Sequence, residues 1–387
     1  MNAGDQPLHA HSENLARTRL IGFLEQEKSF ACEKVLISVL SSPASHEIAR
    51  DGRLVVRDPL ARWIPSLEEN MLVMMMANTG LVEARSTRPD NDNGTRPNIV
   101  LILADDLDHT LGSVGLALKQ ARRLIGEQGI AATNWYIHTP ICCPSRAELL
   151  AGRYFHNLRV AKHNDPGGCM QANLSRIFDD GYFALPFAAL GYTIGVFGKH
   201  LNSGNPKAAP AGVDRWLVNG GGNYLNPAFA FSSRGTPGVE VTFDNCTGPC
   251  YSTAIIGNAT LDWIRALRRE STSPQPFFAY VAVKAPHIQD GPGWPVAIPA
   301  PWHNADRSFP GVQPPRTPNW NASCPEHHWL VRTQPPMTAQ QAERSDALYR
   351  SRLGSLLAVD DLVLELDATL GALELRETTY VAFTSDQ

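Results

Sequence analysis

Asn98-Ile-Val-Leu-Ile-Leu-Ala104 is a continuous apolar run that ends in Asp105-Asp106. Unbroken apolar character over this length marks a strand buried on both faces, as in a parallel sheet with helices on either side. Three further runs have the same form: Thr193 to Phe197, Phe277 to Val283 and Tyr380 to Phe383. Each gives way at once to polar residues, namely Gly198-Lys199-His200, Lys284 to His287, and Thr384-Ser385-Asp386. Helical patterns lie between them, notably Ile255 to Arg269 and Thr338 to Leu373. This alternation predicts an α/β doubly wound domain. In such sheets ligands bind just past the C-terminal ends of the strands.

Ahead of this region the pattern is weak and mixed. Leu15 to Glu25 and Phe30 to Val39 read as amphipathic helices, and Met71 to Ala77 as a short buried run. Ser86 to Pro97, rich in Pro, Asp, Asn and Gly, is a linker by composition. The chain therefore divides into residues 1–95, an extension of unnamed fold expected to be partly disordered, and residues 96–387, the α/β domain. Gly220 to Gly222 and Pro292 to Pro318 read as surface loops.

Composition changes this picture little. The 387 residues are 43% apolar and 19% charged, ordinary values for a soluble globular protein. A net charge of -4 gives no reason to expect a nucleic-acid partner. No run approaches the ~18 apolar residues that cross a bilayer. Five Asn-x-Ser/Thr sequons, at Asn93, Asn173, Asn245, Asn258 and Asn321, favour the secretory route. Met1 to Ser29 is nevertheless polar where a signal peptide needs an apolar core, so either the start is misassigned or export is unconventional. The seven cysteines form an odd set. Cys246-Thr-Gly-Pro-Cys250 either closes a small disulfide loop or presents two surface thiols, and Cys32 has no evident partner.

The candidate chemistry sits at the strand ends. Asp105 and Asp106 are adjacent, with Asp108 two residues on. Neighbouring carboxylates repel unless a cation sits between them, and Ca²⁺ takes about 6–8 oxygen ligands. The carboxylate of Asp386 and the amide oxygen of Gln387 would complete an oxygen-rich site; an exposed acidic turn is the alternative. Cys142 precedes Pro144 and a helix predicted over Ser145 to Ala151. That places it at the positive end of a helix dipole, which favours a developing anion. Arg146 falls in the first turn and is placed to orient a nucleophile or an anionic oxygen. Lys199 can supply a point charge, and His287, in Ala285-Pro286-His287, a proton to a leaving alcohol. Structural thiols, a solvated lysine and a hydrogen-bonded turn histidine are the bland alternatives.

Cys142-Cys143-Pro144-Ser145-Arg146 followed by Leu149-Leu150-Ala151-Gly152-Arg153 reads Cys-x-Pro-Ser-Arg with Leu-x-x-Gly-Arg. It resembles the signature in which sulfatases carry the cysteine that is oxidised to formylglycine. Gly152 to Asn157, Pro315 to Asn319, His328 to Arg332 and Ser355 to Asp361 resemble the glucosamine-6-sulfatase-like branch. The similarity runs from Arg96 to Gln387. It implies an alkaline-phosphatase-like mixed sheet with helices on both faces and one bound Ca²⁺. The implied activity is hydrolysis of a sulfate ester, on N-acetylglucosamine-6-sulfate units of a glycosaminoglycan or related polysaccharide. By position, Asp105, Asp106, Asp386, Gln387 and the converted Cys142 would hold the metal. Cys142 would be the nucleophile, its hydrated aldehyde offering one hydroxyl to attack sulfur and a second to expel sulfate. Arg146 and Lys199 would stabilise it and the sulfate, with His287 near the leaving group. A formylglycine-generating enzyme becomes a necessary partner, and the secretory pathway, lysosomal or extracellular, the expected location. Conversion of Cys142 would leave six cysteines, a number that can pair.

The sequence also departs from the family pattern. Gln387 stands where the family has Asn, one methylene longer. Gly198-Lys199-His200-Leu201-Asn202 differs from the common variants, which leaves His200 as a substitute for a second active-site histidine. The family continues into a Gly-His turn, a further lysine and a C-terminal subdomain, absent here, so either an apolar face and strand edges left open with poor stability, or an incomplete gene model, is expected. A phosphate or phosphonate monoester hydrolase and an inactive glycan-binding remnant remain as alternatives.

Overall fold

The computed structural model describes residues 33–40, 46–48, 54–56, 96–158, 178, 181–203, 205–246, 250–270, 275–289, 295–322 and 325–387. Its strands are β1 (Glu33–Leu40), β2 (His46–Ile48), β3 (Leu54–Val56), β4 (Asn98–Asp105), β5 (Ile130–Trp135) and β6 (Thr193–Lys199). They continue with β7 (Arg215–Asn219), β8 (Ala228–Ser233), β9 (Val239–Thr242), β10 (Phe277–Pro286) and β11 (Thr379–Ser385). Among the described residues the three longest helices are α1 (Cys142–Ala151), α2 (Ser252–Glu270) and α3 (Ala339–Ala372).

Nine strands form one sheet in the order β5-β1-β11-β4-β10-β6-β7-β8-β9, while β2 and β3 pair separately. Neighbours from β11 through β7 are parallel, and those at both flanks are antiparallel. All ten residues of β10 are buried, as its unbroken apolar run requires of a strand covered on both faces. One face of the sheet, through Val100, Ile102, Val281 and Phe383, packs with Ile264 of α2 and Leu356 and Val359 of α3. The other, through Leu101, Leu103, Phe278 and Tyr280, packs with Ala147 and Leu150 of α1. Each fully buried Leu, Ile or Phe contributes about 1.5–3 kcal/mol to this two-sided core. Thr338 and Gln341 form a capping box that starts α3 one residue inside the predicted pattern.

All four apolar runs are strands of the sheet, and both long helical patterns are helices. The helix expected over Phe30 to Val39 is instead strand β1, and this is a correction. Val35, Ile37 and Val39 are β-branched, which suits a pleated strand, and β5 and β11 offer it an edge on each side. In consequence β11 lies inside the sheet, flanked by β1 and β4. Strands β5, β7, β8 and β9 were not marked by the pattern, because apart from the core of β7 they are short and part exposed. Helix α1 begins at Cys142, three residues ahead of the predicted start. Leu15 to Glu25, Cys32 and Met71 to Ala77 lie outside the described residues. Among the described residues no helix is long and apolar enough to cross a membrane.

Candidate active site at the strand ends

Because the central strands are parallel, their C-terminal ends share one rim of the sheet. Asp105 ends β4, Lys199 ends β6, Pro286 ends β10 and Ser385 ends β11. The rim thereby gathers residues far apart in sequence. Asp105 is wholly buried, Asp386 and Lys199 nearly so, and His287 keeps 28% of its side chain exposed.

Helix α1 enters this rim with its N-terminus. Ile141 is its extended N-cap residue, and Cys142, Cys143 and Pro144 make the first turn. Proline is tolerated here because the first N–H groups of a helix have no intrahelical acceptor. Cys142 is 7% exposed and is the free cysteine among the described residues, whereas Cys143 is in a disulfide. The adjacent thiols are therefore chemically distinct.

Arg146, one turn further along α1, is completely buried and ties the site together. Its Nε donates to Asp386 Oδ2 at 2.7 Å and its Nη1 to the Lys199 carbonyl at 2.6 Å. Its Nη2 lies 3.5 Å from Asp105 Oδ1. Lys199 Nζ donates to Asp105 Oδ2 at 2.5 Å. Burial opposes the charge on Arg146, but Asp386, Tyr280 and Asp105 outweigh it and hold the guanidinium protonated. Burial likewise opposes ionisation of Asp105, and Arg146, Lys199 and His287 overcome it and hold the carboxyl below its usual range. For Asp386, burial together with the neighbouring Asp105 wins, and its carboxyl is pushed up.

Asp106 adopts the left-handed region with φ 63°, where Asp is among the few non-glycine residues tolerated. Its N–H donates to Asp386 Oδ1 at 3.1 Å, and its Oδ2 lies 3.6 Å from His287 Nε2. Ligand atoms of Asp105, Asp106 and His287 all fall within 4.8 Å of one another. Oxygens on one Ca²⁺, each about 2.4 Å away, can stand no further apart than this. Asp105 Oδ1 and Asp106 Oδ1 are buried with no hydrogen-bond partner, an arrangement a cation would satisfy. Two cationic groups, Arg146 and Lys199, face three carboxylates, so a divalent ion is also what would turn the site cationic. Gln387 follows, half-buried, with its main-chain N–H on Ser385 Oγ at 3.3 Å.

His287 Nδ1 donates to the Ile288 carbonyl, which leaves Nε2 facing Asp106. Tyr224 O–H donates to the His287 carbonyl at 2.7 Å and buttresses this turn. His200, by contrast, is fully buried away from the rim. Its Nδ1 bonds Asn205 Oδ1 at 2.8 Å and its Nε2 bonds Tyr182 O–H at 3.1 Å. Burial drives its pKa down to about 3, so it is a neutral core histidine and does not serve as a second active-site histidine. Asn202, not singled out from the sequence, donates from Nδ2 to Cys142 Sγ at 3.2 Å. No local pattern marks it, because the contact spans 60 residues. The Gly-Lys dipeptide has a firm cause: Gly198 has φ 92°, and a Cβ there would meet the Ala282 carbonyl oxygen at 1.9 Å.

Cys246 and Cys250 form a disulfide, which resolves the small-loop alternative. Asn245, Asn258 and Asn321 are exposed, although the Asn321 amide is engaged with Met337, and Asn93 and Asn173 lie outside the described residues.

Residues 97–387 match the sulfatase family. Human N-acetylglucosamine-6-sulfatase is 32% identical over 350 residues, which cover 87% of this chain and 58% of that protein. The Capra hircus N-acetylglucosamine-6-sulfatase is 32% identical over 304 residues, covering 75% of this chain and 50% of that one. A Drosophila melanogaster extracellular sulfatase SULF-1 homolog is 30% identical over 292 residues, 75% of this chain and 25% of that protein. The chain thus spans between 50% and 58% of the length of the two N-acetylglucosamine-6-sulfatases. Among solved structures, a protein in complex with its substrate D-glucosamine-2-N,6-O-disulfate superposes with TM-score 0.53 at 21% identity, covering 76% of this chain and 66% of that one. The phosphonate monoester hydrolase of Agrobacterium radiobacter does so with TM-score 0.50 at 19% identity, covering 75% and 62%. Both likenesses show a shared alkaline-phosphatase-like fold. With residues 97–387 inside the family match and relatives at 30% identity and above, the chain belongs to the sulfatase family.

Proposed function

We propose that this chain carries the catalytic centre of a sulfuric ester hydrolase acting on a sulfated sugar, with N-acetylglucosamine-6-sulfate in a glycosaminoglycan or related polysaccharide as the substrate class. The observation that carries this reading is a free Cys142 and a buried Arg146 in the first turns of one helix, with Arg146 bound to Asp386 and to the Lys199 carbonyl, and Lys199 to Asp105. The substrate class rests on the N-acetylglucosamine-6-sulfatases at 32% identity.

In this reading Asp105, Asp106, Asp386 and Gln387 would hold a Ca²⁺, which would supply positive charge to offset the carboxylates and favour an anionic sulfate. As formylglycine, Cys142 supplies a pair of geminal hydroxyls in place of its thiol, and a formylglycine-generating enzyme is the partner that installs it. Arg146 and Lys199 would hold residue 142 and the sulfate by fixed, buried charges, which act more strongly than charges in water. Asn202 orients the side chain of residue 142 from the solvent side. His287, its Nδ1–H anchored on a carbonyl, would deliver a proton from Nε2, in the doubly protonated form of the ring, to the oxygen that leaves when the S–O bond breaks. Water supplies the oxygen that appears in the released sulfate. The exposed sequons and the disulfides agree with a secretory location, lysosomal or extracellular.

The test is turnover of an aryl sulfate and of N-acetylglucosamine-6-sulfate by the purified chain, with mass analysis of the peptide that carries residue 142. Cys142→Ala should abolish turnover while leaving the thermal midpoint within a few degrees. Unchanged turnover in that variant would sink the mechanism, and turnover of aryl phosphate alone would replace the substrate class.

A further inference from the structure

Arg352 lies in the interior of α3, on the helical stretch that packs across one face of the sheet. Its guanidinium leaves the helix and reaches the strand ends. Nη2 donates to the Asp106 carbonyl at 2.6 Å and to Asp108 Oδ2 at 3.3 Å. Nη1 reaches the Pro286 carbonyl at 3.5 Å. One side chain therefore touches both the loop after β4, which carries the candidate cation ligands Asp105 and Asp106, and the end of β10, which leads into His287.

These contacts act on the strained point of the site. Asp106 sits at φ 63°, a conformation that persists in a non-glycine residue only when its surroundings hold it. Its N–H is held by Asp386 and its carbonyl by Arg352, so the residue is clamped on both sides. Asp108 is secured in turn by Ser113, whose hydroxyl donates to Oδ2 at 2.6 Å. Arg352 also keeps a buried Nε with no hydrogen-bond partner. An unsatisfied buried donor costs stability, so the residue is poorly explained as a device for folding alone.

We propose that Arg352 is a positioning residue for the cation site: its fork locks Asp106 in the left-handed conformation and sets the separation between the Asp105-Asp106 pair and His287. The inference rests on the reading of that cluster as a Ca²⁺ site. It makes a prediction opposite to the one charge alone would make. A guanidinium beside a cation site repels the ion, so by Coulomb's law its removal should tighten Ca²⁺ binding. If Arg352 instead positions the ligands, its removal weakens binding, as loss of groups that orient metal ligands does by about 10–100-fold.

The experiment is calorimetric titration of the full chain with CaCl₂, with the melting temperature of the calcium-free protein measured alongside. Arg352→Lys keeps the charge without the fork, and Arg352→Met removes both. Both are expected to weaken Ca²⁺ binding at least tenfold, the Lys variant as much as the Met variant. Where the Met variant does not fold, Arg352→Gln, neutral but still a planar donor, replaces it and is also expected to bind more weakly than the parent. Unchanged or tighter binding in the neutral variant overturns the proposal, as does full affinity in the Lys variant. A lowered melting temperature with unaltered Ca²⁺ affinity assigns Arg352 a purely structural role and likewise overturns it. A parent chain that binds no Ca²⁺ removes the cation reading itself, and the positioning role with it.

Discussion

Replacing Arg146 by Met tests whether the buried charges at the strand ends act as one unit. Met nearly matches the aliphatic stem, so little cavity opens and the loss is chiefly electrostatic. What remains is Asp386, deprived of its 2.7 Å partner, and Asp105, left to Lys199 alone. Breaking a buried pair by removing one member costs about 3–5 kcal/mol, because the other charge stays buried and uncompensated. The network here is wholly buried on the arginine side, so the upper half of that range is expected. For a domain of this size each kcal/mol lowers the melting temperature by roughly 2–4 °C, giving a fall on the order of 10 °C. The assay is urea unfolding with and without Ca²⁺. Asp386, left without its cation, and Asp105, left with one of its two, should make the variant gain more from Ca²⁺ than the parent does. Adding Asp386→Asn should recover part of the loss, a positive coupling in the double-mutant cycle. A destabilisation below about 1 kcal/mol, or an equal response to Ca²⁺ in both proteins, would refute the reasoning.

Three further outcomes are expected. His200 is neutral in the fold with its pKa driven from 6.5 down to about 3, so the unfolded chain binds an extra proton between those values and stability falls as pH drops through that window. His200→Gln, which keeps one donor and one acceptor, should remove about 3 kcal/mol of the parent's acid sensitivity at pH 4.5, as measured by denaturant unfolding across pH, and parallel pH profiles would count against it. Gly198→Ala forces a side chain into a φ of 92° and against the Ala282 carbonyl, so a loss of more than about 3 kcal/mol and a displaced Lys199 are expected; a crystal structure with Lys199 unmoved would contradict this. Asn202→Ala removes the donor on Cys142 Sγ from an exposed position, so turnover should fall about 10–100-fold with little change in melting temperature, and full activity would deny Asn202 any role.

Local chemistry was legible in the chain itself. The apolar runs announced β4, β6, β10 and β11 because a strand covered on both faces must be apolar at every position. The Cys-x-Pro-Ser-Arg segment marked Cys142 and Arg146 as belonging to a helix start, and the adjacent aspartates do stand at a strand end. Periodicity also placed α2 and α3 to within a few residues. These features are properties of short segments, and short segments carry their own signature.

The tertiary structure alone decided who meets whom. Arg146 pairs with Asp386 across 240 residues, and Lys199 pairs with Asp105 across 94. Both contacts follow from strand order, which no single strand encodes, since a buried apolar run can pair with any other. For the same reason the local pattern does not distinguish β1 from a helix: its eight residues, Glu33–Leu40, suit either state until β5 and β11 offer edges to join. His200 shows the converse limit. A histidine beside the strand-end Lys199 looks catalytic in sequence, but the extended chain at the end of β6 turns the side chains of Lys199 and His200 to different surroundings, one toward Asp105 and the other into the ring cluster of Tyr182 and Trp216. Alternation along an extended chain, read against the packing on each side, separates them, and that packing exists only once the sheet has closed.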